Sequence, residues 1–153
     1  MTQLSKKAKS LITFFPVLVA IIICSGCIHL QQAPSEEKSL VMLKNFYTEY
    51  LNEVASSNPI SLSAHKLDSL KNIYCTEALL IKIPNLIAQS DTDPFIKAQD
   101  SNRGNAKTLS VKKEARKENT YIVSYVDEYD KLTKAIHVTV IQEEGIIKIS
   151  SIW

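Results

Sequence analysis

Residues 120–153 read TYIVSYVDEYDKLTKAIHVTVIQEEGIIKISSIW, and this stretch decides the fold. Tyr121, Val123 and Tyr125 alternate with Ile122, Ser124 and Val126, and Ile136, Val138 and Val140 alternate with His137 and Thr139. A period of two sends successive side chains to opposite faces, which marks a half-buried strand. Glu143-Glu144-Gly145 interrupts the pattern, and Ile146 to Trp153 resumes it. Upstream, Leu109, Val111 and Lys113 precede a turn at Lys117 to Asn119. Four β segments joined by short polar turns predict an antiparallel meander, because a short connection must reverse the chain.

Before residue 100 the period is helical. Ser35, with Glu36 and Glu37 behind it, is a candidate N-cap, and Leu40, Leu43, Tyr47, Tyr50, Leu51 and Val54 form one apolar stripe. Ser56-Ser57-Asn58-Pro59 stops that helix. A second helix is expected over His65 to Tyr74, with Leu67, Leu70, Ile73 and Tyr74 on its packed side. A third is expected after Thr76 as N-cap, carrying Leu79, Leu80, Ile83, Leu86 and Ile87, with Pro84 kinking or ending it. Helices first and strands last predict an α+β domain, its N-terminal helices covering one face of a curved, mainly antiparallel four-stranded sheet.

The first thirty residues differ from everything after them. Lys6, Lys7 and Lys9 precede an almost purely apolar run from Leu11 to Cys24, and Cys24-Ser25-Gly26-Cys27 follows. Positive, then apolar, then small is the layout of a secretory signal. The last four residues resemble the bacterial lipobox, with Cys24 in the place usually held by an aliphatic residue. That resemblance implies a diacylglyceryl thioether on the Cys27 thiol, cleavage before Cys27, and a third acyl chain on the α-amino group that cleavage frees. The rival reading is an uncleaved span from Leu11 to Leu30, which Pro16, Ser25, Gly26 and His29 disfavour. The expected division is a signal at 1–26, a lipidated N-terminus and tether at 27–37, and a single globular domain at 38–153. Ile28 after the cysteine leans towards outer-membrane rather than inner-membrane delivery, on the periplasmic side.

Composition narrows the chemistry. The chain has 153 residues with 18 basic and 16 acidic side chains. The signal removes 26 residues and three lysines, so 127 residues remain with 15 basic against 16 acidic, a net charge of about −1. No nucleic-acid partner is expected. Lys112, Lys113, Arg116 and Lys117 are interleaved with Glu114 and Glu118, the pattern of a solvated strand and turn. Without Cys24 and with Cys27 acylated, only Cys75 is left, so no internal disulfide is possible. Cys75 beside Tyr74 reads as a small buried hydrophobe, because His29, His65 and His137 form no motif with it. Tyr47, Tyr50, Tyr121, Tyr125 and Tyr129 are expected to fill the core and its rim. The spacing of acids, histidines and glycines matches no zinc, EF-hand or phosphate-loop pattern, so neither a metal nor a cofactor is expected.

The remaining segment, Ser90-Asp91-Thr92-Asp93-Pro94-Phe95-Ile96-Lys97-Ala98-Gln99-Asp100, connects helices to sheet. Phe46-Tyr47-x-x-Tyr50-Leu51, Leu79-Leu80, Asp93-Pro94-Phe95-x-x-Ala98-Gln99-Asp100 and Ile147-Lys148-Ile149-x-x-Ile152 together resemble a bacterial lipoprotein family catalogued as domain of unknown function three-eight-two-eight. The likeness spans nearly all the mature chain. It implies a cystatin-like or nuclear-transport-factor-two-like α+β architecture and no particular activity. Members of that family often carry a tryptophan near the start of the last strand, whereas Trp153 stands at its end.

Asp91, Asp93, Phe95, Gln99 and Asp100 are the candidate site. As a binding cluster they would sit at the mouth of a cavity between sheet and helices and hold a cation, a basic peptide or a sugar. As architecture, the aspartates satisfy turn N–H groups, Pro94 fixes the bend, Phe95 and Ile96 plug the turn, and Gln99 bridges to a strand edge. Two functions follow. One is a membrane-anchored lipoprotein whose non-catalytic domain binds a protein, peptide or envelope component, in the manner of an inhibitor or immunity partner. The alternative is a small envelope hydrolase in which two crossover aspartates act as acid and base.

Overall fold

A computed structural model describes residues 33–153 of the chain. The signal, Cys27 and most of the tether lie outside the described residues. Helices α1 (Glu36–Val54), α2 (Ile60–Tyr74) and α3 (Glu77–Ser90) precede a 3-10 turn at Asn105–Thr108 and strands β1 (Ser110–Lys113), β2 (Thr120–Val126), β3 (Thr133–Glu143) and β4 (Ile146–Ile152). The strands pair antiparallel in the order β1-β2-β3-β4, the meander expected from the alternating pattern. Three helices therefore pack against one face of a four-stranded sheet, and the α+β class read from the sequence holds. No helix among the described residues is long and apolar enough to cross a membrane.

The register follows the pattern. Tyr121 faces Val138, Val123 faces Ile136, and Val138 faces Ile152, which places the buried apolar strand side chains on the helix side. A bulge at Thr139/Val140 sets Thr139 opposite Ser151 but Val140 opposite Ile149, leaving Ser150 without a partner. One extra residue there keeps Ile149 and Ile152 both on the core face, which an unbroken period of two would forbid. Glu144 and Gly145 both have positive φ, as a tight two-residue hairpin requires.

Helix α1 is the centre of the core. Leu43, Phe46, Tyr47, Tyr50 and Leu51 recur at three- and four-residue steps and are buried against the sheet. The Phe46 ring lies 5.1–5.4 Å from those of Tyr47, Tyr50, Tyr74 and Phe95, an aromatic cluster that fixes α1 to the end of α2 and to the crossover. The N-cap of α3 is Thr76, whose hydroxyl accepts the Leu79 N–H at 3.2 Å.

Some local expectations give way to packing. Ser35 stands at the head of α1, but its hydroxyl makes no capping bond; its carbonyl instead accepts the Ser39 N–H and hydroxyl, each at 2.9 Å. Helix α2 begins at Ile60, five residues ahead of His65, because Pro59 can open a helix as well as stop one. Its carbonyl takes the Leu62 and Ser63 N–H groups. Pro84 does not end α3, which runs on to Ser90 while burying Leu79 and Ile83. Ile73 is 61% exposed rather than packed, and α2 has no fully buried side chain. Leu67, Leu70 and Tyr74 pack partly buried against the core, and a hub on α1 adds polar contacts: Glu53 accepts Asn58 Nδ2 and Ser63 Oγ at 2.9 Å and Lys66 Nζ at 3.3 Å, and these contacts hold its carboxyl below the ordinary range.

Candidate functional site: the crossover and the β2–β3 turn

The crossover is built around Asp93. Its N–H reaches the Ala98 carbonyl at 2.9 Å and its carbonyl accepts the Lys97 N–H at 2.7 Å, closing a tight loop in which Lys97 has positive φ. The side chain accepts the Phe95 N–H at 2.8 Å through Oδ1 and the Tyr50 hydroxyl at 2.6 Å through Oδ2. Both oxygens are thus engaged within the fold. Burial pushes the Asp93 carboxyl above its ordinary value, outweighing the opposing hydrogen bonds from Tyr50 and Phe95 and the charge of Lys71. Burial, and after it the Asp93 carboxylate, push the Tyr50 hydroxyl far up.

Phe95 and Ile96 are completely buried, and the Tyr125 hydroxyl donates to the Ile96 carbonyl at 2.6 Å. The plug expected from sequence is therefore present. The surface grooves lie elsewhere, one of about 480 Å³ between α1 and α2, lined in part by Glu53, Lys66, Leu70 and Ile73, and others along the flanks of α1. Asp91 caps α3 with positive φ, and its carbonyl and carboxylate accept Gln99 Nε2 at 3.3 and 3.4 Å. Gln99 thus bridges across its own loop and not to a strand edge. Asp91, Gln99 and Asp100 are exposed.

Periodicity gave no hint of what lies beside this loop. Asn105, 1% exposed, donates to Ser101 Oγ and accepts the Glu128 N–H at 3.0 Å, while Thr108 Oγ1 accepts the Val126 N–H at 2.9 Å. These bonds sew the end of the crossover to the β2–β3 turn. Within that turn Asp127 accepts the Tyr129 N–H, Asp130 accepts the Leu132 N–H, and Lys134 reaches Asp130 at 2.6 Å, which holds the Asp130 carboxyl low. The turn is therefore rigid by its own hydrogen bonds, yet it leaves Tyr129 88% and Leu132 61% exposed. Tyr129 belongs neither to the core nor to its rim, contrary to the sequence reading. The Tyr125 hydroxyl bonds to Ile96 of the crossover and Asn105 to Glu128 of the turn, so crossover and turn lie together at one end of the sheet. Lys97, Arg103 and Lys131 share that end, giving it mixed charge.

Cys75 is buried and free, and burial pushes its thiol up to about 12, which leaves it a packing residue at neutral pH. The Tyr47 hydroxyl is buried without a hydrogen-bond partner among the described residues. Among the described residues no three His, Cys, Asp or Glu side chains are grouped to hold a metal ion.

A solved protein of unknown function from Bacteroides thetaiotaomicron VPI-5482 is similar to this chain at 30% identity and a TM-score of 0.70, with 77% of this chain and 90% of that one covered. The chain belongs to that protein's family. The family thus shares the three-helix, four-strand arrangement. No family model matches the chain, and no curated protein matches it.

Proposed function

We propose that this protein is a lipoprotein of the cell envelope, moored on the periplasmic side through lipid on Cys27, whose domain binds a protein partner without turning it over. The rigid β2–β3 turn carries this reading. It presents Tyr129 and Leu132 to solvent on a backbone already fixed by Asp127, Asp130 and Asn105, so little ordering remains to be done on binding. An aromatic anchor within a rim of mixed charge is the composition of an interface centre. Asp93 favours binding over hydrolysis, because a catalytic carboxylate must be free to meet substrate and both of its oxygens are occupied internally. For the anchor, the support is the order of Lys6–Lys9, Leu11–Cys24 and Ser25-Gly26-Cys27. We further propose that the family is the one catalogued as domain of unknown function three-eight-two-eight, on the Asp93–Asp100 string.

Photo-crosslinking in the native host tests the binding surface. A crosslinker at position 129 should give one discrete adduct, and the same group at the exposed Ala64 on α2 should not. Tyr129→Ala should weaken the purified complex by roughly thirtyfold or more, the loss typical of a central aromatic anchor. Equal adducts from both positions would refute the surface. Mass spectrometry of the host protein checks the mooring: an intact Met1 and an unmodified Cys27 would refute it.

A further inference from the structure

Resting on the lipid anchor proposed above, we infer that the β1–β2 turn and Trp153 form a membrane-facing surface that seats on anionic phospholipid headgroups. Glu36, the first residue of α1, stands nine positions after Cys27. Nine steps of chain reach no further than about 30 Å. The parts of the fold beside Glu36 are therefore the parts a bilayer meets first. Glu36 pairs with Lys113 of β1 at 2.8 Å, which sets the β1–β2 turn at the tether.

Trp153 adjoins that turn. Its N–H and carbonyl pair with those of His137, its ring stacks on the imidazole at 5.7 Å and 17°, and the Lys117 ammonium lies 5.5 Å from its centroid. The ring is held in place on the sheet, yet Trp153 stays 47% exposed. The turn from Lys112 to Glu118 carries four cations against two carboxylates. Glu114 is spent internally on His137 Nδ1 at 2.8 Å and Lys117 at 2.7 Å, and Lys113 on Glu36. Lys112 and Arg116, both exposed, enter no ion pair among the described residues and are free to meet phosphate. A tryptophan flanked by lysine and arginine is what the headgroup region favours, the indole at the apolar boundary and the cations above it. Glu118 shares the turn, so the charge attraction is modest and the tether supplies the local concentration that makes it count.

Trp153 is the sole tryptophan, so its emission reports this surface directly. The full chain, purified from its host, would be reconstituted into phosphatidylcholine vesicles with and without phosphatidylglycerol, and into the same vesicles carrying a headgroup-level nitroxide quencher. With phosphatidylglycerol, Trp153 emission should shift to the blue and lose most of its intensity to the quencher. The Lys112→Gln, Arg116→Gln variant should still float with the vesicles but lower the docked-to-free ratio roughly thirtyfold, about fivefold for each cation. Vesicle-bound protein whose Trp153 escapes the quencher, or is quenched equally in both lipids, would overturn the inference while leaving the anchor standing. Protein that high salt washes from the vesicles would instead defeat the anchor, and the tether argument with it.

Discussion

Asp93 can be dissected by two substitutions that remove different things. Alanine takes away both acceptors and leaves the Tyr50 hydroxyl and the Phe95 N–H unpaired on residues that are 2% and 0% exposed. Each buried orphan costs about 1–3 kcal/mol, so roughly 2–6 kcal/mol together, a large part of the stability of a domain this size. Asparagine keeps the geometry: its Oδ1 still accepts the Phe95 N–H, and the Tyr50 hydroxyl rotates from donor to acceptor for the Nδ2–H. It also deletes a charge that burial disfavours. At neutral pH Asp93→Ala should therefore melt several degrees below the wild type, and Asp93→Asn should match or exceed it.

The pH dependence has a definite sign. Because the folded carboxyl titrates above its unfolded value, the native state takes up its proton first as pH falls. The contribution of Asp93 to stability is thus fully present below the unfolded value of about 3.9 and is lost as pH rises through the higher folded value. Glu53, Glu114 and Asp130 are shifted down and run the other way, losing their contributions as pH falls through their folded values. Subtracting wild type from Asp93→Asn cancels them. In denaturant titrations across pH, that difference should be positive at neutrality and vanish below about pH 4. The reasoning fails if asparagine destabilises as much as alanine, or if the difference grows on acidification.

Tyr47→Phe should raise the melting temperature, since it removes a buried hydroxyl with no partner among the described residues; the gain is about 1–3 kcal/mol, read by calorimetry, and a loss would mean that the hydroxyl has a partner. Glu53→Ala should loosen α2 ahead of the rest of the domain, because that helix has no fully buried side chain and draws polar contacts from this carboxylate. Hydrogen exchange over residues 60–74 should quicken roughly tenfold with α1 and the sheet unchanged; a uniform change would argue against a local latch.

The strand order and register were legible because alternation ties each side chain to a face, and short turns leave only one way to pair neighbouring strands. The buried stripe of α1 and the Thr76 cap were legible for the same reason: both are read within a few residues. What escaped the sequence depends on distant partners. Whether an apolar residue in phase with the stripe is covered depends on what lies across from it, so Ile73 read as packed and is exposed. Tyr129 read as core and stands in solvent, since the turn that lifts it is set by Asp127 and by Asn105, more than twenty residues away. The Asp93 turn was foreseeable from its bond to Phe95 two residues on. Its bond to Tyr50, 43 residues upstream, was not.

Helix α1 ties these features into one mechanical arrangement. Glu36, at the tether, binds Lys113, and Tyr50, fourteen residues on and about 21 Å along the helix axis, binds Asp93. The two contacts differ in kind. Glu36–Lys113 is an exposed ion pair, screened by salt and easily exchanged for water or a headgroup. Tyr50–Asp93 is drawn into the aromatic core and shares its carboxylate with the crossover backbone, so it does not yield without exposing Phe95. The soft contact thus sits at the start of α1 and the stiff one near its end, so exchange of the Glu36–Lys113 pair leaves the crossover loop in place.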